Sequence, residues 1–288
     1  MPPTPIFNPR SELFRVTSLT EENCYPIMQW AMQILAQEEY PGFDGIGVVI
    51  VAGGRYLKYA FGAVTKLRQL DPDIPVQIWH LPGEDISGQT RFERFGNVTF
   101  HDIGPVWNHE CSWVRTGWSA KIHCIKACPF RHVMLLDADC FPFVPPMSIF
   151  DTEEFGNTGL MLWPDMMEHT KGSAWPCVGL KYKSVPEHES GQILIDKKRQ
   201  WETIKLATWM ASHHLFHDLF FGDKSLLGIS AAKLGMPFYT CTGTEWQGSG
   251  MIHKAPNGIP AFSHQMDEKR GNDRVPKELR KLWNAFDN

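Results

Sequence analysis

Along this chain, short apolar runs alternate with segments of helical period. Gly45 to Ala52 is apolar throughout with no polar alternation, which predicts a strand buried on both faces, as a parallel sheet requires. Gly53 and Gly54 then read as a tight turn, and Leu57, Ala60, Phe61, Val64 and Leu67 recur at helical spacing across Tyr56 to Leu70. Further strands are predicted at Val76 to Leu81, Asn97 to Asp102 and Arg131 to Leu136, with Val114, Trp118, Ile122 and Ile125 marking the helix ahead of the last. Upstream, Ser18 and Glu21 form a capping-box start for a helix carrying Ile27, Trp30, Ala31, Ile34 and Leu35. Downstream, strands are expected at Gly159 to Trp163, Gln192 to Asp196 and Pro237 to Thr240, separated by helices near Trp201 to His214 and Ser225 to Leu234. The stretch Pro142 to Pro146 reads as a sharp exit from a strand, and the tail after Gly243 as loop. Strands alternating with helices predict an α/β, Rossmann-like fold with a mostly parallel central sheet flanked by helices.

Composition narrows the picture. The 288 residues, 43% of them hydrophobic, suffice for one large core, and no repeat or low-complexity linker divides them. A net charge of -4 offers no basic stripe for a phosphate backbone, so bulk nucleic-acid binding is disfavoured. The longest apolar runs, such as Val48 to Ala52 and Val133 to Leu136, fall far short of the ~20 residues of a membrane span. Met1 to Asn8 lacks the charged start and apolar middle of a signal peptide. The expectation is a soluble cytoplasmic protein, the alternative being a lumenal domain trimmed of its anchor. Seven cysteines without paired spacing suit a reducing compartment, and Cys124 and Cys128 lack the second pair that a structural zinc needs.

The sharpest chemical signal runs from His132 to Pro142, an apolar strand ending in Asp137 and Asp139. The two-residue period of a strand points both carboxylates to one side, and ligands of α/β sheets bind beyond the carboxyl ends of strands. Two like charges so close are costly unless a cation neutralises them, and carboxylate oxygens suit Mg²⁺ or Mn²⁺. Turn capping by aspartate is the plain structural alternative. An aspartyl-phosphate pocket is another, against which the mid-chain position and Cys140 speak.

Three blocks extend this signal: Gly47 to Leu57, Val133 to Pro142, and Glu189 to Trp201 followed by Phe221 to Tyr239. On them the chain resembles glycosyltransferase family 71, the fungal-type α-mannosyltransferases, over roughly residues 45 to 265. The resemblance implies the GT-A fold, a nucleotide-diphosphate sugar donor (GDP-mannose, with a UDP-hexose as alternative), retention of the donor's α configuration, and a hydroxyl acceptor, a glycan first. Secretory members carry an N-terminal membrane anchor that has no counterpart in this sequence. One GT-A domain over residues 1–288 is implied, with a helical extension (1–44), a nucleotide-binding half (45–142) and an acceptor- and sugar-binding half with a C-terminal loop (143–288).

Ala52, Gly53, Gly54 and Arg55 are assigned to the donor, because glycines at a strand end admit a base or ribose against the backbone. By resemblance, Lys121 is placed near the diphosphate, and His264 completes a metal site with Asp137 and Asp139, with His253 as runner-up. Glu189, Gln192 and Asp223 are the catalytic candidates, assigned to orient the sugar or acceptor hydroxyl or to stabilise an oxocarbenium-like transition state. The cluster His213, His214 and His217 lacks an accompanying carboxylate and reads as structural. Trp163, Trp175 and Trp246 are candidates for stacking on sugar faces, against a default role in the core. The competing functions are a phosphate- or nucleotide-processing enzyme using the same Asp pair, and a non-catalytic nucleotide-sugar-binding module.

Overall fold

The structure is a computed structural model that describes residues 21–107, 117–168, 174–213, 216, 219–220, 222–247, 250–265 and 277–287. Ser18, Cys111, Val114, His214 and His217 lie outside the described residues. The first described helix, α1 (Glu21–Leu35), buries Ile27 and Ala31 as expected but leaves Ile34 exposed. After it come β1 (Ile46–Val51), α2 (Leu57–Leu70), β2 (Val76–His80), β3 (Val98–Asp102), α3 (Gly117–Ala127) and β4 (His132–Asp137). These four strands run parallel to one another, and the unbroken apolar runs of β1 and β4 lie at the centre, buried on both faces.

The second half continues the sheet. It holds β5 (Cys140–Pro142), α4 (Pro146–Phe150), α5 (Glu153–Thr158), β6 (Leu160–Glu168), α6 (Ala174–Cys177), β7 (Pro186–Asp196), α7 (Trp201–Ala211), α8 (Leu226–Leu234) and β8 (Tyr239–Thr240). The main sheet runs in the order β3-β2-β1-β4-β7-β6-β8. Only β7 opposes the rest, being antiparallel to both β4 and β6. A parallel neighbour needs a crossover of a dozen or more residues, normally helical. In the described part of the segment between β6 and β7 the helix is the single turn α6, and the chain doubles back.

The tail departs from expectation. Instead of a loop it forms β9 (Thr244–Gln247), β10 (Gly250–Lys254), β11 (Pro260–His264) and α9 (Lys277–Asp287). The three strands join β5 in an antiparallel sheet of order β5-β11-β10-β9. The stretch after Cys140 is therefore an edge strand before it is an exit. Trp163 is buried where the sheets meet, donating Nε1–H to the Lys254 carbonyl at 2.8 Å and standing edge-on to Phe262, so it belongs to the core. Trp175 is buried as well, and Trp246 alone of the three is exposed. No helix among the described residues is long and apolar enough to cross a membrane.

The amphipathic α9 closes the core over α2 and β5: Trp283, 2% exposed, meets Tyr59 of α2 edge-on at 5.1 Å and Phe141 of β5 at 5.8 Å. Trp283→Ala is expected to cost about 3–5 kcal/mol, since an aromatic truncation loses both burial and packing. In a chain of this size that lowers Tm by about 10 °C, as differential scanning calorimetry would read; a shift under about 2 °C would show that α9 is not part of the cooperative unit.

Candidate active site

The register of the central strands builds the site. Val51 of β1 pairs with Asp137 of β4, so the turn Ala52-Gly53-Gly54 and the pair Asp137/Asp139 leave the sheet side by side at its carboxyl edge. There Ala52, Gly53, Asp137 and Asp139 line a cleft of about 390 Å³ together with Tyr56, Leu81, Glu84, Gly117, Trp118 and Lys121. Arg55 stands apart from this lining: its side chain is exposed, with Nη2 3.1 Å from the Tyr56 hydroxyl and the guanidinium over the Tyr56 ring.

Lys121, on α3, is buried and sits among carboxylates. Its Nζ lies 2.7 Å from Asp137 Oδ1 and 3.4 Å from Asp223 Oδ2, and it donates to the Ser190 carbonyl and hydroxyl at 3.3 and 3.2 Å. Burial works against its charge, yet Asp137 and Asp223 prevail and hold its pKa above the ordinary lysine value. Burial raises the Asp223 carboxyl above the usual range despite Lys121. Asp223 is no helix cap, because Ser225 occupies that position and the Asp223 side chain turns inward to Lys121.

His264 reaches the Asp pair through the second sheet. β11 pairs with β5 so that His264 opposes Cys140, and Gln265 N–H donates to the Asp139 carbonyl at 2.9 Å. The imidazole Nε2 then lies 3.6 Å from Asp137 Oδ2 and 3.5 Å from Asp139 Oδ1. Its Nδ1 lies 3.4 Å from Glu189 Oε1, an oxygen that also accepts the N–H groups of Ser190 and Gly191. Gly191 makes room for the ring, since a Cβ there would come within 2.5 Å of Nδ1. Burial alone would strip the imidazole of its proton, but Asp139 and Glu189 together lift its pKa from 6.5 to about 10. Burial would raise the Glu189 carboxyl, but His264 beside it holds it well below the usual carboxylate range.

Among the described residues, Asp137, Asp139 and His264 are the one group of three or more side chains placed to hold a metal ion, each offering an atom within 4.8 Å of the others. Two carboxylate oxygens and an imidazole nitrogen, crowded into a buried corner, form a donor set that fits Mn²⁺ well. Neither ring nitrogen of His264 makes a hydrogen bond of good geometry, and Glu189 Oε2 is buried without a partner. His253 is not in the group: fully buried, it sets Nδ1 3.1 Å from the Thr244 hydroxyl, and burial lowers its pKa to about 4. Neither Glu189 nor Gln192 lines the cleft. Glu189 stands behind His264, and Gln192, wholly buried opposite Leu136, accepts the Cys140 thiol at 3.5 Å. His213 is buried with Nδ1 on the Trp209 carbonyl. Cys128 packs against Lys197 and the Ile125 carbonyl.

A mannosyltransferase family model, Mannosyl_trans3, matches residues 45–184, the span that holds the glycine turn, Lys121 and both aspartates. The α-1,2-mannosyltransferase MNN2 of Saccharomyces cerevisiae is 30% identical over 141 residues, covering 44% of this chain and 22% of that protein. MNN5 of the same species, also an α-1,2-mannosyltransferase, is 24% identical over 292 aligned residues, covering 77% of this chain and 49% of its own length. Both of these relatives are fungal mannosyltransferases. The resemblance to glycosyltransferase family 71 is thereby borne out. The chain spans less than half the length of either relative. In fold it matches a crystal structure of an active-site mutant of LgtC with a TM-score of 0.56 at 14% identity, over 83% of this chain and 95% of that one. That likeness bears out the GT-A fold.

Several residues of the site escaped the sequence reading. Glu84 had a usable signal, being an acidic residue just beyond the carboxyl end of β2, where such sheets bind ligands. Trp118, exposed at 59%, reads in the sequence as one more apolar helix position. Ser190 carried no chemical pattern of its own.

Proposed function

We propose that this chain transfers mannose from a nucleotide-diphosphate sugar, GDP-mannose, to a hydroxyl of a glycan acceptor with retention of configuration, using Mn²⁺ or Mg²⁺ held by Asp137, Asp139 and His264. The supporting observation is the convergence of these three side chains with Lys121 at the carboxyl edge of a GT-A sheet. In this reading residues 45–142 hold the nucleotide and 143–288 the sugar and acceptor. A divalent cation at the site supplies Lewis-acid stabilisation of the charge that builds on the leaving diphosphate. Lys121 adds a second, fixed positive charge along the same edge, already oriented by Asp137 and Asp223 and so free of reorganisation cost during the reaction. Glu189 acts as a positioning residue, holding the His264 ring through Nδ1 so that Nε2 faces the aspartates. Asp223 is the carboxylate assigned to the sugar or acceptor hydroxyl. Ala52 and Gly53 let the nucleoside approach the strand ends, while Gly54 and Arg55 lie outside the cleft lining.

Thermal-shift titration with GDP-mannose and UDP-sugars, with and without Mn²⁺, tests the proposal. A manganese-dependent rise in Tm with a nucleotide sugar is the expected result, and none with any nucleotide sugar overturns it.

A pH dependence follows from His264. Its folded pKa is raised to about 10 in the metal-free protein, so its charged pairing stabilises the fold fully below about pH 6.5 and that contribution is lost as pH rises through 10. A metal needs the neutral ring, so ion and proton compete: Mn²⁺ affinity is expected to rise up to ~10-fold per pH unit between pH 6.5 and 8.5. Calorimetry in buffers of different ionisation enthalpy should show about one proton released per ion bound. A pH-independent affinity would remove His264 from the ligand set.

A further inference from the structure

The cleft has an end that neither the metal group nor Lys121 accounts for. In the sheet order, β2 flanks β1 and β1 flanks β4, and Glu84 after β2, Gly53 after β1 and Asp137 at the end of β4 all line the cleft at the carboxyl edge. Glu84 stands on the β2 side of Gly53 and Asp137 on its β4 side, so a nucleotide whose diphosphate lies at the Asp pair would bring its base toward Glu84. Tyr56 and Trp118 line the same cleft, offering aromatic surface on which a base can stack.

The Glu84 carboxylate is seated deliberately. Oε2 accepts the Leu81 N–H at 2.8 Å, and the Glu84 N–H donates back to the Leu81 carbonyl at 3.1 Å. Next door, Gly54 N–H donates to the Asp85 carbonyl, tying this loop to the glycine turn. A Cβ on Gly53 would lie 2.3 Å from Glu84 Oε2, so the glycine is what admits the carboxylate against the end of β1. Among the described residues Oε1 has no hydrogen-bond partner. A carboxylate accepts hydrogen bonds only, and in a cleft meant for a diphosphate it repels the ligand unless it meets donors.

We propose that Glu84 is the residue that selects the guanine base of the donor; this rests on the nucleotide-sugar reading above. Guanine carries two adjacent donors, N1–H and the exocyclic amine, on its Watson–Crick edge, which a carboxylate takes as a parallel pair of charge-assisted bonds. Uracil offers one N–H between two carbonyls that the carboxylate repels. Adenine and cytosine set a ring acceptor beside their amine. The two aromatic side chains supply stacking of any base, and Glu84 supplies the choice among bases.

The test is calorimetric titration, with Mn²⁺ present, of GDP, IDP, UDP and inorganic pyrophosphate into the wild-type chain and Glu84→Gln. IDP is GDP without the exocyclic amine, and the glutamine retains an oxygen for the Leu81 N–H. Expected is a wild type that prefers GDP over IDP and UDP by ~10-fold or more, and a variant in which GDP weakens by at least ~10-fold and the GDP-to-IDP ratio falls within about threefold. Pyrophosphate should bind both alike. The proposal is overturned if Glu84→Gln keeps the GDP-to-IDP ratio, if the wild type takes UDP as tightly as GDP, or if pyrophosphate weakens in parallel with GDP, which would make the effect structural. Failure of the wild type to bind any of the four sinks the nucleotide-sugar reading itself.

Discussion

Replacing Asp139 with alanine is expected to lower kcat for sugar transfer by ~10³-fold or more at saturating Mn²⁺, equivalent to about 4 kcal/mol of lost transition-state stabilisation. The carboxylate is 2% exposed, 3.5 Å from His264 Nε2, and belongs to the only group of described side chains placed to hold an ion. Without it a cation has one carboxylate and one imidazole from the protein, too few to keep a labile ion in place while charge develops on the diphosphate. Asp139→Asn, which keeps the shape, should lose nearly as much, because what is needed is an anionic ligand. Transfer measured with a radiolabelled donor, alongside the Tm of the unliganded variants, separates chemistry from folding. A loss of less than tenfold in a folded Asp139→Ala would place the metal elsewhere.

Lys121→Met carries the second large effect, on stability as well as turnover. Its ammonium is the counter-charge of Asp137 at 2.7 Å and Asp223 at 3.4 Å, in a setting where Asp223 is almost wholly buried. Removing one member of a buried ionic group leaves charge uncompensated, at a cost of about 3–5 kcal/mol. Urea unfolding of the metal-free protein at pH 8 should show that loss. The deficit should shrink as pH falls, because the Asp223 carboxyl, already raised by burial, then takes up a proton in the folded state. Mn²⁺ should restore part of the stability of Lys121→Met by supplying positive charge to Asp137. A Lys121→Met chain as stable as wild type at pH 8 without metal would mean that the ion pairs contribute nothing net, as some buried pairs do.

These effects hang on a site only partly legible in the sequence. Asp137 and Asp139 announced themselves because strand period and position at the end of an apolar run are local properties. Ala52 and Gly53 were placed by their position at a strand end and Lys121 by resemblance, and in the structure they line one cleft with the Asp pair. Glu189 shows the limit: a conspicuous carboxylate in a conspicuous block, it turns its oxygen to His264 and two backbone N–H groups, away from the cleft. No one-dimensional pattern says whether a polar side chain on β7 faces a ligand or another side chain.

The division between the two levels has a physical cause. Buried strands and amphipathic helices declare themselves through hydrophobic period, so β1 to β4, α2 and the helices α7 and α8 could be read from residue order alone, as could the carboxyl-edge position of the aspartates. The reversed direction of β7 and the second sheet could not, because strand pairing is a long-range choice and Thr244 to Gln247 or Gly250 to Lys254 have no strand-like pattern until they pair with each other and β10 pairs with β11. It is the pairing of β11 with β5, Cys140 opposite His264, which carries an imidazole from 125 positions along the chain (264 less 139) to the edge of the Asp pair. The residue types were written in the sequence; their meeting was decided by the tertiary structure, where the energy of burying β11 between β5 and β10 sets the geometry of the corner formed by Asp137, Asp139 and His264.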